Sequence, residues 1–210
     1  MSIVTQACMV LGIIVAAIAG AALQASTRSL VDVFIERSER HMERDRARVL
    51  HMVNEQRHEE LRLLLEQASP MRRKRLADSV QVDDAANKSA LFLACLHRSP
   101  TLVEALLWAD ADVAAGRSDE GTTPLHLAVG WLHSAEIVEL LLAARDRKGI
   151  RISLGTKPTS GGLRHGTPVY WARFYDQVVT QRKLIAWMSA AGWHYLQEED
   201  VFLPSTQNAE

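Results

Sequence analysis

The stretch that decides the fold covers residues 121–142, GTTPLHLAVGWLHSAEIVELLL. Thr123 can cap the start of a helix with its hydroxyl, and Pro124 fits the first helical position, where its missing N–H would have no partner. Apolar residues recur at helical spacing on both sides of a break at 132–135. The stretch therefore predicts two short helices joined by a turn. Neither is long enough to be stable alone, so the pair must pack on neighbours.

Two similar stretches lie on either side of this one. The sequence SALFLA at 89–94 and the sequence TPVYWA at 167–172 stand where TPLHLA stands at 123–128. Each is followed by a second apolar segment. Three copies in phase resemble the ankyrin repeat, a unit of about 33 residues with a T-P-L-H-x-A signature. The resemblance covers roughly residues 83–195.

The resemblance implies an all-α, ankyrin-repeat solenoid of helix–turn–helix units that binds a protein partner on its concave face. The expected units are about 83–116, 117–148 and 162–195. His126 is expected to hydrogen-bond between turns, as the histidine of the family does, and not to act as a catalytic base. The third unit has Tyr170 in place of that histidine, and a long insertion precedes it. We therefore expect a short, irregular array whose end units act as caps.

The N-terminal segment, residues 1–27, carries no charged side chain, and its apolar run of about 3–25 is near the roughly 20 residues that span a bilayer. We expect a transmembrane anchor here. The alternatives are a cleaved signal peptide, which normally has a basic start, and a buried core helix. The basic residues that follow favour a cytoplasmic location for 28–210, the alternative being periplasmic or secreted. Small residues at every fourth position of the anchor allow a homodimer.

The segment between the anchor and the repeats is expected to be helical and polar. Residues 28–69 contain neither Gly nor Pro and predict one long charged helix that acts as a stalk. Residues 70–82 follow as a basic linker or cap, in which Arg72, Arg73, Lys74 and Arg75 are expected to be solvated. The alternative is that this run contacts phospholipid headgroups, RNA or an acidic protein surface. Residues 196–210 are expected to form a C-terminal cap or tail.

The insertion at 145–166 is the expected contact site. Ile150, Ile152 and Leu154 alternate with other residues, which predicts a short strand or hairpin arm. In the family, loops between units project as fingers beside the binding face, so a basic finger here would suit a partner with an acidic surface. A loop without any partner is the alternative. The expected partner-binding residues are Arg117, Asp119, Trp131, Arg145, Arg147, Lys148, Arg151, Lys157 and Arg164.

Composition and motifs argue against several other functions. The net charge is −1, and there are two cysteines, too few for a disulfide framework. The sequence has no glycine-rich phosphate loop, no HExxH and no GxSxG motif. We expect no enzymatic activity, no cofactor, no bound metal and no nucleic-acid partner. The expected function is that of a membrane-tethered interaction module, and the alternative is an exported inhibitor or immunity-type binder that uses residues 1–25 as a signal peptide.

Overall fold

The computed structural model describes residues 37–82, 87–116, 121–158 and 166–205. The chain divides into two units, Met1–Arg44 and Asp45–Glu210. Residues 37–44 of the first unit are helical, and the rest of that unit, with the expected anchor and its dimer face, lies outside the described residues. In the described part of the chain, every helix is too short or too polar to cross a bilayer.

The described elements are short helices and two small antiparallel hairpins. They are α1 (37–54), α2 (His58–Gln67), α3 (Pro70–Ala77), β1 (Val80–Val82), β2 (Asn87–Ser89), α4 (Ala90–Leu96), α5 (Pro100–Trp108), α6 (Pro124–Gly130), α7 (Ala135–Ala143), α8 (Arg147–Gly155), α9 (Pro168–Phe174), α10 (Val178–Ala190), β3 (Trp193–Leu196) and β4 (Val201–Pro204). Strand β1 pairs with β2, and β3 pairs with β4.

Helix pairs stack in two layers to form the core. Helix α4 pairs with α5, α6 with α7, and α9 with α10. The inner helices α4, α6 and α9 pack in that order, while α5 packs on α7 in the outer layer. Leu91, Leu106, Leu125, Leu141 and Leu184 are buried where the layers meet. The structure confirms the two short helices predicted at 121–142 and the all-α repeat fold. Each helix pair covers the apolar side of the next.

The start of each inner helix is capped as the sequence predicts. The hydroxyl of Thr123 accepts a hydrogen bond from the N–H of His126 at 3.5 Å. Ser89 and Thr167 accept the equivalent bonds in their own units, at 3.1 and 3.3 Å. These caps satisfy amide groups that would otherwise lack a partner at the helix start.

Each pair turns at a residue in the left-handed conformation. Arg98 and Asp176, with φ of 54° and 55°, each come nine residues after the capping residue of their unit. In the middle unit the left-handed residue is His133, with φ of 49°, ten residues after Thr123. The middle unit therefore has one more residue than the other two between the cap and the turn.

The structure corrects the prediction of one long helix over 28–69. Helix α1 ends at residue 54, and Gln56 has a left-handed φ of 56° before α2 begins. Val53 near the end of α1 and Leu61 in α2 are both fully buried, and α2 packs on α5. The turn at 55–57 lets the apolar residues of both helices reach the same core.

The basic segment 70–82 is also more ordered than predicted. Its first part is α3, and Arg73 donates hydrogen bonds to the carbonyls of Leu65 and Ala68 at 2.9 and 3.3 Å. Lys74 donates to the carbonyl of Asp110 at 2.8 Å, and Arg72 forms an ion pair with Asp45. Arg72 and Lys74 nevertheless keep about half of their side-chain surface in solvent, and the part-buried Arg73 binds carbonyls that lack helical partners.

The predicted strand in the insertion is wrong, because residues 147–155 form the helix α8. Ile150 is fully buried, whereas Ile152 is 48% exposed. Ile150 and Leu154 are four residues apart and share the buried side of the helix, where the small residues Gly149 and Ser153 allow close packing. The side chain of Asp146 caps the helix by accepting from the N–H of Gly149 at 2.9 Å. The apolar residues at 150 and 154 fit a strand as well as a helix. Packing of these residues against α6 and α9 stabilises the helix.

Candidate protein-binding surfaces

The first candidate surface lies where the second and third units turn. Trp131, at the end of α6, is 55% exposed, and Phe174, the last residue of α9, is 49% exposed. Val178 and Val179, which begin α10, are exposed as well. We call these four side chains the turn-end patch. Large apolar side chains left exposed in neighbouring elements are characteristic of interaction sites.

Polar and aromatic contacts hold the two turns of the patch together. The side-chain amide of Gln177 donates to the carbonyl of Val129 at 2.6 Å and also contacts the Nδ1 atom of His133. The rings of His133 and Tyr175 pack edge to face, with centroids 4.9 Å apart. The patch is therefore built on two turns that contact each other, and contacts of this kind reduce the entropy lost when a partner binds.

Helix α8 carries the second candidate surface. Arg145 and Lys148 are exposed, as a contact site requires. The guanidinium groups of Arg147 and Arg151 each lie 5.7 Å from the ring centroid of Trp187 and Trp193, respectively. We call the four basic residues the α8 basic face. It is a packed helical surface rather than a projecting finger, and two of its cations stack on aromatic rings of the same chain.

Of the remaining predicted contact residues in the insertion, the structure describes Lys157. The ammonium group of Lys157 donates to the carbonyl of Glu199 at 3.0 Å and lies 3.9 Å from the carboxylate of Asp200. Lys157 is thus engaged with the C-terminal segment. Arg117, Asp119 and Arg164 lie outside the described residues. Trp131, by contrast, is at the exposed end of an inner helix, where the sequence led us to expect it.

His126 is a buried structural residue. Its Nδ1 atom accepts from the N–H of Thr123 at 3.3 Å and lies 2.8 Å from the Thr123 hydroxyl. Its ring packs edge to face on Trp171, with centroids 5.4 Å apart. Burial lowers the pKa of His126 to about 4, and the nearby backbone of Gly166 and Thr156 opposes part of that shift. The side chain has no access to solvent, so it cannot serve a substrate.

In the third unit, the acceptor role of that histidine belongs to Asp200. The sequence analysis did not identify this residue. Its carboxylate accepts from the N–H and the hydroxyl of Thr167 at 2.7 and 2.6 Å, and from the phenol of Tyr195 at 2.8 Å. Burial and this carboxylate raise the pKa of Tyr195. Tyr170 at the histidine position was the available signal, because it left the start of the third inner helix without an acceptor.

In the described residues, neither a reactive cysteine nor a cluster of metal ligands is present. Cys95 is buried, and burial raises the pKa of its thiol, as a structural cysteine requires. Over the ranges that the structure describes, no cluster of three or more His, Cys, Asp or Glu side chains is placed to hold a metal ion.

Comparison with known proteins supports the repeat assignment. A search of the curated proteins found no significant match. The model of the family described as "Ankyrin repeats (3 copies)" matches residues 76–154. The matched region begins in α3 and ends in α8, so it contains the helix pairs α4–α5 and α6–α7. Residues 76–154 are thus similar to ankyrin repeats.

Proposed function

We propose that this chain is a protein-binding module that docks its partner on the turn-end patch. The exposure of Trp131 and Phe174 at equivalent ends of neighbouring inner helices is the observation that carries the proposal. Aromatic side chains supply large contact area with little loss of rotamer entropy and dominate many interfaces. Ankyrin repeats in residues 76–154 favour protein binding over catalysis.

We further propose that the α8 basic face selects a partner with an acidic surface. Arg145 and Lys148 are exposed to meet it, while the stacked guanidinium groups of Arg147 and Arg151 are already oriented. Charges at the edge of an interface act mainly on the association rate and on specificity. Capture should therefore weaken as the salt concentration rises.

Affinity capture with the full chain, followed by mass spectrometry, tests the docking proposal. Replacing Trp131 and Phe174 together by Ser should abolish capture of the main partner, because the apolar contact is lost. Leu63→Ser is the matched control, since Leu63 is equally exposed on α2 but outside the patch. Equal capture by the patch variant and the control would contradict the proposal.

Replacing Arg145 and Lys148 by Glu should slow association of the partner at low salt. An unchanged association rate would remove the α8 basic face from the site.

We also propose that residues 1–27 tether the module to a membrane with the repeats on the cytoplasmic side. The uncharged apolar run followed by basic residues supports this arrangement. Protease treatment of intact cells distinguishes it from the alternative of an exported inhibitor. A tethered cytoplasmic module stays intact until the membrane is opened, whereas digestion of the repeats in intact cells would contradict the proposal.

A further inference from the structure

A groove of about 380 Å³ lies between the outer helices α2 and α5. Its lining residues belong neither to the turn-end patch nor to the α8 basic face. We call it the outer groove and define it by six of the residues that line it: Glu59, Arg62, Glu66, Glu104, Ala105 and Trp108. Its volume is in the range of sites that accept a few side chains of a bound ligand.

The outer groove is open because a small residue occupies a key position. Ala105 is the third residue after Leu102, the first buried residue of α5. Trp187 has the same place relative to the buried Leu184 in α10 and donates a hydrogen bond to the carbonyl of Leu142 in α7 at 3.1 Å. An indole thus spans the space between α7 and α10, whereas a methyl group leaves the space between α2 and α5 unfilled.

The lining combines an aromatic surface with negative charge. Trp108 is 42% exposed, and the guanidinium of Arg73 lies 4.1 Å from the centroid of its ring. Arg62 donates to the carboxylate of Glu66 at 2.9 Å. The pKa of Arg62 is raised by Glu66, and further by Glu59 and Glu104. Three carboxylates of the lining therefore stand against the guanidinium groups of Arg62 and of Arg73 on the Trp108 ring, which leaves an excess of one negative charge.

We propose that the outer groove binds a basic segment of a partner protein, with a Lys or Arg between Glu59 and Glu104 and an aliphatic side chain over Ala105 and Trp108. Charge complementarity selects this occupant, because an acidic segment would meet the carboxylates without compensation. The ring of Trp108 and the methyl group of Ala105 provide an apolar surface for the aliphatic side chain, which a free cation would leave uncovered. The interaction is separate from the docking of a partner on the turn-end patch.

Binding of two labelled pentapeptides to the full chain, measured by fluorescence anisotropy, tests the proposal. One peptide has a leucine between two pairs of lysines, and the other has the same leucine between two pairs of glutamates. The lysine peptide should bind and the glutamate peptide should not. Ala105→Trp, which fills the groove without changing charge, and Glu104→Lys, which reverses one charge, should each weaken binding at least tenfold.

Glu136→Lys is the matched control, because Glu136 is exposed on α7 and does not line the groove. It should bind the lysine peptide with the affinity of the unmodified chain. Thermal unfolding checks that each variant is folded, and Glu104→Gln replaces any variant that is not. Equal affinity of Ala105→Trp and the unmodified chain would overturn the proposal. Self-association that the groove variants abolish, without binding of the lysine peptide, would overturn it in favour of a second copy of this chain.

Discussion

Single residues at the start of each inner helix show how this array tolerates degenerate repeats. In the middle unit His126 supplies the acceptor for Thr123, whereas in the third unit Asp200 supplies it for Thr167. In the first unit the Ser89 hydroxyl instead donates to the carbonyl of Ala115 at 2.6 Å. Three different groups thus meet the same requirement, because a buried helix start needs its polar groups paired whatever supplies the partner.

Protonation of His126 makes the stability of the array dependent on pH. The pKa is about 4 in the folded chain and 6.5 in the unfolded one, so the unfolded chain binds a proton first as the pH falls. Stability should therefore be retained above pH 6.5 and lost between pH 6.5 and 4, by about 3 kcal/mol. Urea unfolding of the unmodified chain and of His126→Asn at both pH values measures this contribution. The same pH dependence in both chains would contradict it.

Replacement of Asp200 by Asn tests the charged cap of the third unit. Asn tolerates the left-handed φ of 50° at this position, so the change isolates the charge. We expect the free energy of unfolding to fall by roughly 1–3 kcal/mol, because the hydrogen bonds that Asp200 accepts become weaker or are lost. In a double-mutant cycle with Thr167→Val the two effects should be less than additive. Strict additivity would mean that the two side chains do not act together.

At the scale of elements, α8 makes residues 147–155 part of the core instead of a projecting finger. The helix contacts α6, α9 and α10, and the hydroxyl of Ser153 donates to that of Thr123 at 2.7 Å. A basic segment between two repeats is thereby fixed by packing and by a buried hydrogen bond. The cations on its outer side consequently have defined positions, which favours recognition over non-specific attraction.

Two isoleucines of α8 should differ sharply in their effect on stability. Ile150→Ala removes a fully buried side chain and should destabilise the fold by about 2–5 kcal/mol. Ile152→Ala truncates a side chain that is about half exposed and should change stability by less than about 0.5 kcal/mol. Chemical denaturation of both variants measures the difference. Similar losses at the two positions would favour the strand over the helix.

Across the whole repeat array, each helix pair depends on the next, and the last pair is covered by the hairpin β3–β4. Strand β3 packs on α10, and Asp200, between the two strands, caps α9. A stacked array of this kind has a stability that is roughly a sum of unit and neighbour terms, so terminal covers matter more than their size suggests.

Deleting residues 193–210 should therefore weaken the array from its C-terminal end. The deletion removes the Asp200 carboxylate and uncovers α10, so amide exchange should accelerate first in α9 and α10 and least in α4 and α5. Hydrogen exchange read out by mass spectrometry resolves the order. Uniform acceleration along the array would show that the units unfold together and that the hairpin is not a local cap.

Local sequence was sufficient wherever a signal and its structure lie within one unit. Thr123 and Pro124 determined the start of α6, and the apolar spacing around Leu141 determined α7, because caps and amphipathic stripes act over a few residues. Trp131, which the sequence analysis names as a contact residue, is exposed. Tertiary contacts decided the rest. The turn at Gln56, the helical form of 147–155 and the role of Asp200 each depend on groups far away in the chain, and no local pattern encodes which distant neighbour will cover a given side chain.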